Sequence, residues 1–333
     1  MALDPTDPLD LAMIGCLVIG LALMGAGQFY KKRHRHILTA CGEVLFGIFW
    51  LTLVPEYLEK NDTVYVVFCL AALPAFCLLA YHEYLCFTRK EELVPLDWLA
   101  GTAAFSAGLY FLIAFIPPLD EALTYAVAMN TTWVLDLFGY HATLHTGYWI
   151  GSEFAVPIEH DGVVRIQIVL ACTAIQSIAL IMGFILATKP NRGIWEDWAK
   201  ANLRHVERRI EKSGGIYRLR LVLINGTLKN LLKRSDRGRI GMAVLVTAPV
   251  IYVTNLFRNA AVVYVTHEGF LPFDFFHNYL IKAMSFLVLI LLFLVLFEIL
   301  PEFQENVFGF FDIMLRRKKG NVKDGFVVVE QGR

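Results

Sequence analysis

Ile166-Gln-Ile-Val-Leu-Ala-Cys172-Thr-Ala-Ile-Gln176-Ser177-Ile-Ala-Leu-Ile-Met-Gly-Phe-Ile-Leu-Ala-Thr188 is the stretch on which the reading of this chain turns. It holds no charge, and a helix of roughly 20 apolar residues crosses a bilayer. Inside it, Cys172, Thr173, Gln176 and Ser177 lie at i, i+1, i+4 and i+5, which is one side of a helix. A polar stripe in lipid faces a protein interior or a water-filled cavity. With the helix starting near Ile166, Cys172 is expected roughly 9 Å below its outer end at ~1.5 Å per residue.

The rest of the chain has the same character. It is 57% hydrophobic and 18% charged, with a mean hydropathy of +0.55, outside the soluble norm. Seven spans are expected, near 11–27, 37–54, 64–87, 97–117, 166–188, 240–267 and 278–300. A helix at 119–139 carries Asp120, Glu121, Asn130 and Asp136, too polar to cross alone, and is placed at the interface. The leader before the first span is acidic and the cations follow it, which reads as an anchor rather than a cleaved signal.

A net charge of zero conceals an asymmetry. Lys31, Lys32, Arg33 and Arg35 follow the first span, Arg89 and Lys90 the third, and Arg316 to Lys319 the last. Segment 189–239 holds fourteen Lys or Arg against five acids. The other loops are acidic, with Glu56, Glu59, Asp62, Glu153, Glu159, Asp161, Glu268 and Asp274. The positive-inside rule then puts the N-terminus outside and the C-terminus in the cytoplasm. An eighth crossing at 119–139 would break that pattern.

Two later polar patches fall at the outer ends of their spans. Asn255, Arg258 and Asn259 share a face by i, i+3, i+4 spacing, and His277-Asn278 opens the last span. Snorkelling to water is the bland explanation for Arg258, and an interfacial place that for His277. The six cysteines all lie in or at the ends of spans, which argues against a disulfide framework; five read as packing residues. No metal-ligand spacing or phosphate loop appears, so neither metal nor cofactor is expected.

Between spans, Ala155-Val-Pro-Ile158, then Asp161-Gly162, then Val163-Val164-Arg165 is a hairpin signal, and the hairpin should roof the site from outside. His145 and His160 read as loop residues without a catalytic role. Asn61 and Asn130 stand in glycosylation-type triplets. In 189–239, Trp195, Trp198, Leu203, Val206 and Ile210 follow helical spacing among cations, which suits an amphipathic helix on an anionic leaflet better than nucleic-acid binding. The stretch from Pro301 to Leu315 reads as another surface helix, with disorder beyond Arg316. The expected fold is thus an all-α polytopic membrane protein of about seven transmembrane helices. It adds a small exoplasmic β-hairpin, an interfacial helix and cytoplasmic amphipathic helices. Its units are 1–118 (N-terminal transmembrane helices), 119–165 (exoplasmic helix and hairpin), 166–300 (core, with the insertion 189–239) and 301–333 (surface helix and tail).

The run Ala171-Cys172-Thr173-Ala174-Ile175-Gln176-Ser177, then Asn255-Leu256-Phe257-Arg258-Asn259, then His277, resembles the exosortase/archaeosortase family. Its Ala-Cys-Thr-x-Ile-Gln-Ser form is most similar to the archaeosortase A type, over roughly residues 145–290. The resemblance implies a polytopic cysteine protease acting as a transpeptidase, with Cys172, Arg258 and His277 as catalytic residues. Thr173, Gln176, Ser177, Asn255, Asn259 and Asn278 would support them. It also implies a substrate: a secreted, S-layer-type protein ending in a Pro-Gly-Phe-type motif, a transmembrane helix and a basic tail. A membrane lipid would accept the new C-terminus. Two departures stand out. Ala174 replaces a common Gly, and His277 stands where some relatives have an always-charged Arg.

Two other classes stay open on the sequence alone. Seven helices with Lys282 in the last invite a retinal-protein reading. A transporter or a structural membrane protein without peptidase activity is the broader alternative.

Overall fold

The computed structural model describes residues 8–30, 33–59, 62–150, 153–212, 235–267 and 275–315, with 214, 215, 222 and 272. Its helices are α1 Pro8–Phe29, α2 Arg35–Thr52, α3 Val54–Glu59, α4 Thr63–Arg89, α5 Val94–Ala114 and α6 Pro117–Leu137. Four strands follow: β1 Thr143–Leu144, β2 Tyr148–Ile150, β3 Glu153–His160 and β4 Val163–Ile168. After a 3-10 turn at Leu170–Cys172 come α7 Ile175–Ala187, α8 Arg192–Lys212 and α9 Asp236–His267. A π-helical turn at Phe276–Leu280 leads into α10 Ile281–Ile299, and α11 Pro301–Leu315 follows.

Local chemistry sets several boundaries. Asp62 caps α4 by accepting from Tyr65 N at 3.3 Å, and Lys90 ends it in a left-handed conformation. Pro95 and Pro117 sit in the first turns of α5 and α6, where the missing N–H is no loss. Gly20 and Gly42 let α1 and α2 cross at backbone contact: a Cβ on Gly42 would lie 2.7 Å from the Gly20 carbonyl oxygen. In the same way Gly183 lays α7 against Ser106 and the Thr102 carbonyl of α5.

Among the described residues, α1, α2 with α3, α4, α5, α9 and α10 are long and apolar enough to cross a membrane. The molecule is a polytopic, mainly helical membrane protein with a small sheet. α6 is helical as expected and is not one of these six. It packs on β3 and α9, with Val127, Val134 and Leu135 buried against Val156 and Ile158. The hairpin is also where the sequence put it. His160 pairs with Val163 across Asp161 and Gly162, both at positive φ (53° and 74°), the conformation a tight two-residue turn needs. β1 and β2 extend the sheet on β3.

The stretch 166–188 is not one helix, so six helices rather than seven are long enough to span among the described residues. Ile166 and Ile168 pair with Ile158 and Val156, so the alternating apolar pattern of Val163 to Ile168 continues the hairpin. A helix starts only at Ile175 and runs 13 residues, too short to span by itself. Cys172 therefore lies in a turn, and the helical stripe expected from Cys172 to Ser177 does not exist. α7 still runs antiparallel to α5. Ser106 Oγ donates to Leu180 O at 3.5 Å and Trp98 Nε1 to Thr188 Oγ1 at 3.2 Å.

A second correction concerns α8. Trp195 is buried rather than lipid-facing: the Arg239 guanidinium lies 4.6 Å from its ring centroid, and Trp198 stacks on it at 5.2 Å. Arg239, fully buried, donates to both oxygens of Glu302 at 3.0 and 2.9 Å, tying α9 to α11. Asn130 donates to Tyr252 Oη at 2.8 Å between α6 and α9, so its amide nitrogen is engaged instead of standing free for a glycan. Asn61, much of 213–234 and the tail beyond 315 lie outside the described residues.

Candidate active site

Everything at this site follows from how the chain stops being a strand. Ile168 is fully buried in the sheet, and Val169 is still extended. Then Cys172 N bonds Val169 O at 2.8 Å and Thr173 N bonds Leu170 O at 3.0 Å. The Thr173 hydroxyl donates to Leu170 O at 2.7 Å and accepts from Ile175 N at 3.4 Å. Its polarity is consumed in closing the turn. Ala174 takes φ +62°, a conformation that L-residues enter at a cost, and α7 starts behind it. Cys172 is thereby set at the head of α7.

α9 supplies the facing wall. Asn255 and Asn259, one turn apart and buried, both donate from Nδ2 to the Cys172 carbonyl, at 2.7 and 3.0 Å. Arg258 lies between them in sequence, and its Nη2 donates to Asn259 Oδ1 at 3.3 Å. Among the described residues, Arg258 Nε and Asn255 Oδ1 are buried without a hydrogen-bond partner. Asn259 joins the two residues Arg258 and Cys172, its Oδ1 accepting from the Arg258 guanidinium and its Nδ2 donating to the Cys172 carbonyl. A cavity of about 40 Å³ opens beside Asn255 and Arg258, and Cys172 is not among its lining residues. Its polar lining is Ser177, Thr254, Asn255, Arg258 and Ser285; its apolar lining is Ala174, Ile251, Val288 and Leu289.

The structure thus gathers Cys172, Thr173, Ser177, Asn255, Arg258 and Asn259 around one turn. Gln176 is exposed and does not line the cavity. His277 and Asn278 have their backbone in the π-helical turn before α10; their side chains lie outside the description. Lys282 is exposed on α10 and is not among the cavity's lining residues. His145 and His160 occupy the sheet: His145 Nε2 meets Glu159 Oε2 at 2.6 Å, and the His160 ring stacks on Tyr140 at 3.8 Å.

Thr254 and Ser285 were missed from sequence. Ser285 is a lone polar residue in the run Ala283-Met284-Ser285-Phe286. The rule that polar groups in spans face protein or cavity, applied there as at Cys172, finds it.

The chain is similar to archaeosortase A of Haloferax volcanii, with 26% identity over 200 residues, 56% of this chain and 62% of that protein. The chain thus matches less than two thirds of its curated relative's length. This similarity supports the relationship to the archaeosortase/exosortase family that the residue pattern led us to suspect. No protein-family model matches the chain, and no solved structure does.

Proposed function

We propose that this protein is a membrane-embedded cysteine transpeptidase of the archaeosortase kind. It cuts the C-terminal sorting signal of secreted surface proteins and passes the new C-terminus to a membrane lipid. The observation that carries the reading is the double amide clamp of Asn255 and Asn259 on the Cys172 carbonyl, with Arg258 alongside. The clamp is on the main-chain carbonyl, so it fixes the turn that carries the thiol, and Arg258 is buried on the helix that makes the clamp. The active site would face the exoplasmic side, following the charge asymmetry of the loops.

The Cys172 thiolate attacks the scissile carbonyl carbon, and charge builds on the carbonyl oxygen. Arg258 is the donor for that oxygen, a role typically worth roughly 2.7–4 kcal/mol. The same cation favours the thiolate, since a free thiol titrates near ~8.5 and apolar surroundings push it higher. Collapse breaks the C–N bond; the leaving amine takes a proton, which His277 carries from the thiol. A lipid amine or hydroxyl then attacks the thioester, gives its proton to the now neutral His277, and releases the thiolate. The small, half-apolar cavity favours that acceptor over hydrolysis by limiting water.

The test is processing of a substrate with a Pro-Gly-Phe-type motif, a transmembrane helix and a basic tail, followed by mass of its C-terminus in cells. Cys172→Ala should leave the signal uncut while the protein remains inserted. Full processing in that variant would remove the thioester mechanism.

A further inference from the structure

A second polar cluster lies where α2 begins, α4 finishes and α5 starts. Lys189, just past the end of α7, reaches it with Nζ 3.4 Å from Asp97 Oδ2. Cys172 is at the other end of that helix, roughly 20 Å away by helix rise. The cluster is therefore separate from the candidate active site and independent of its reading.

Its members are His36 and Glu43 of α2, Glu83 of α4 and Asp97 of α5, all buried. His36 Nδ1 lies 2.5 Å from Glu83 Oε2. One potential ligand atom each from His36, Glu83 and Asp97 falls within 4.8 Å of the others. Glu43, also buried, lies two turns after His36 on the same face of α2. Two oxygens, Glu43 Oε2 and Glu83 Oε1, are fully buried and have no hydrogen-bond partner among the described residues. Buried carboxylate oxygens in that state are expensive, and each calls for a partner.

The nearby cations do not supply one. Arg35 Nη2, at 2.8 Å, and Lys189 both meet the same atom, Asp97 Oδ2. Lys189 is half exposed and can turn to water. With His36 neutral, three carboxylates face two cations, Arg35 and the half-exposed Lys189, and a divalent cation offsets the excess negative charge. One imidazole nitrogen with carboxylate oxygens suits Zn²⁺ or Mn²⁺; an all-oxygen set would suit Mg²⁺ or Ca²⁺, and no thiolate takes part. Ligand atoms at about 2.0–2.2 Å from a tetrahedral metal stand roughly 3.4 Å apart. Small side-chain rotations close the observed spread.

We propose that His36 Nδ1 and the carboxylates of Glu43, Glu83 and Asp97 form a binding site for a divalent metal of the Zn²⁺ or Mn²⁺ class, which staples α2, α4 and α5 together. Sequence spacing hid it because the donors come from three helices. Full-length protein in detergent, stripped with chelator, is dialysed against Zn²⁺ or Mn²⁺ alone and its metal content is counted. The Mn²⁺ arm guards against zinc held by the exposed thiols of Cys41 and Cys77. About one ion per chain is expected, with a higher melting temperature. Glu43→Gln and Glu83→Gln, nearly isosteric, should each weaken binding at least about 10-fold. Cys172→Ala should bind as the native chain does. If Glu83→Gln fails to fold, Glu43→Gln decides the matter by itself. A native chain that retains less than a tenth of an equivalent of either ion, or Gln variants that bind as well as it does, would overturn the site.

Discussion

At the residue scale, Ala174 is the most exposed assumption in the molecule. A methyl group at φ +62° costs about 1–2 kcal/mol in the left-handed region. Glycine there relieves that strain and gives back about 0.5–1 kcal/mol in chain entropy. Ala174→Gly should therefore raise stability by up to about 1 kcal/mol, read as a higher melting temperature in detergent. Ala174→Val should lower it, because a β-branched side chain tolerates positive φ worst. Arg258 makes a different prediction. Arg258→Lys keeps the charge but loses the planar fork that meets Asn259, so substrate processing should fall to background while the fold persists. His277→Arg separates proton transfer from simple charge: partial processing is expected, as the natural Arg variants of the resembled family imply, and complete loss would make the imidazole an obligatory proton carrier. That Asn255, Arg258 and Asn259 turn toward protein was legible because charge and amide groups are costly inside a span. What Thr173 does was not, since a hydroxyl on a stripe and a hydroxyl closing a turn look alike in sequence.

At the element scale, the hairpin and α7 show what periodicity can and cannot decide. Asp161-Gly162 between alternating residues announced its turn, and Gly162→Ala should cost about 1–2 kcal/mol because Gly162 holds φ +74°. Unfolding in detergent measures it. Val163 to Thr188 was harder. A run of apolar residues fits a strand or a buried helix equally, and the helical reading carried Ile166 and Ile168 along with it. Cross-strand pairing with Val156 and Ile158, a long-range contact, decided otherwise. The same limit applied to α8. Its amphipathic spacing was correct, yet Trp195 turns inward because Arg239 and Glu302 wait there, 44 and 107 residues later. Glu302→Ala removes the bidentate partner of a fully buried guanidinium and leaves it only Asp236, so a loss of about 2–3 kcal/mol is expected, seen as early thermal unfolding.

At the scale of the whole molecule, α7 decides the parity of the topology. Six helices meet the length requirement, which alone would return both termini to one side. With Leu180 opposite Ser106 and Thr188 opposite Trp98, however, α7 and its leading turn cover most of the length of α5. We expect it to complete a seventh crossing. A label at Lys212 or Lys189 should then react only from the cytoplasm, and one at Asp161 only from outside; reaction of Lys212 from the exterior would reverse the map. Hydropathy made the crossings legible, and it was silent on how a crossing is shared between a turn and a short helix. One more consequence comes from β4, which among the described residues has a strand beside it on one edge only. Peptide groups on a bare edge cannot be immersed in hydrocarbon, where nothing answers their hydrogen bonds. The strand is therefore the molecule's own waterline mark. The oily layer can begin no higher than Ile168, and the thiol four residues further on rides within about 8–10 Å of the aqueous boundary at ~2–3 Å per residue. Cys172 is therefore expected in the shallow outer part of the membrane, within reach of an amphiphile's polar end.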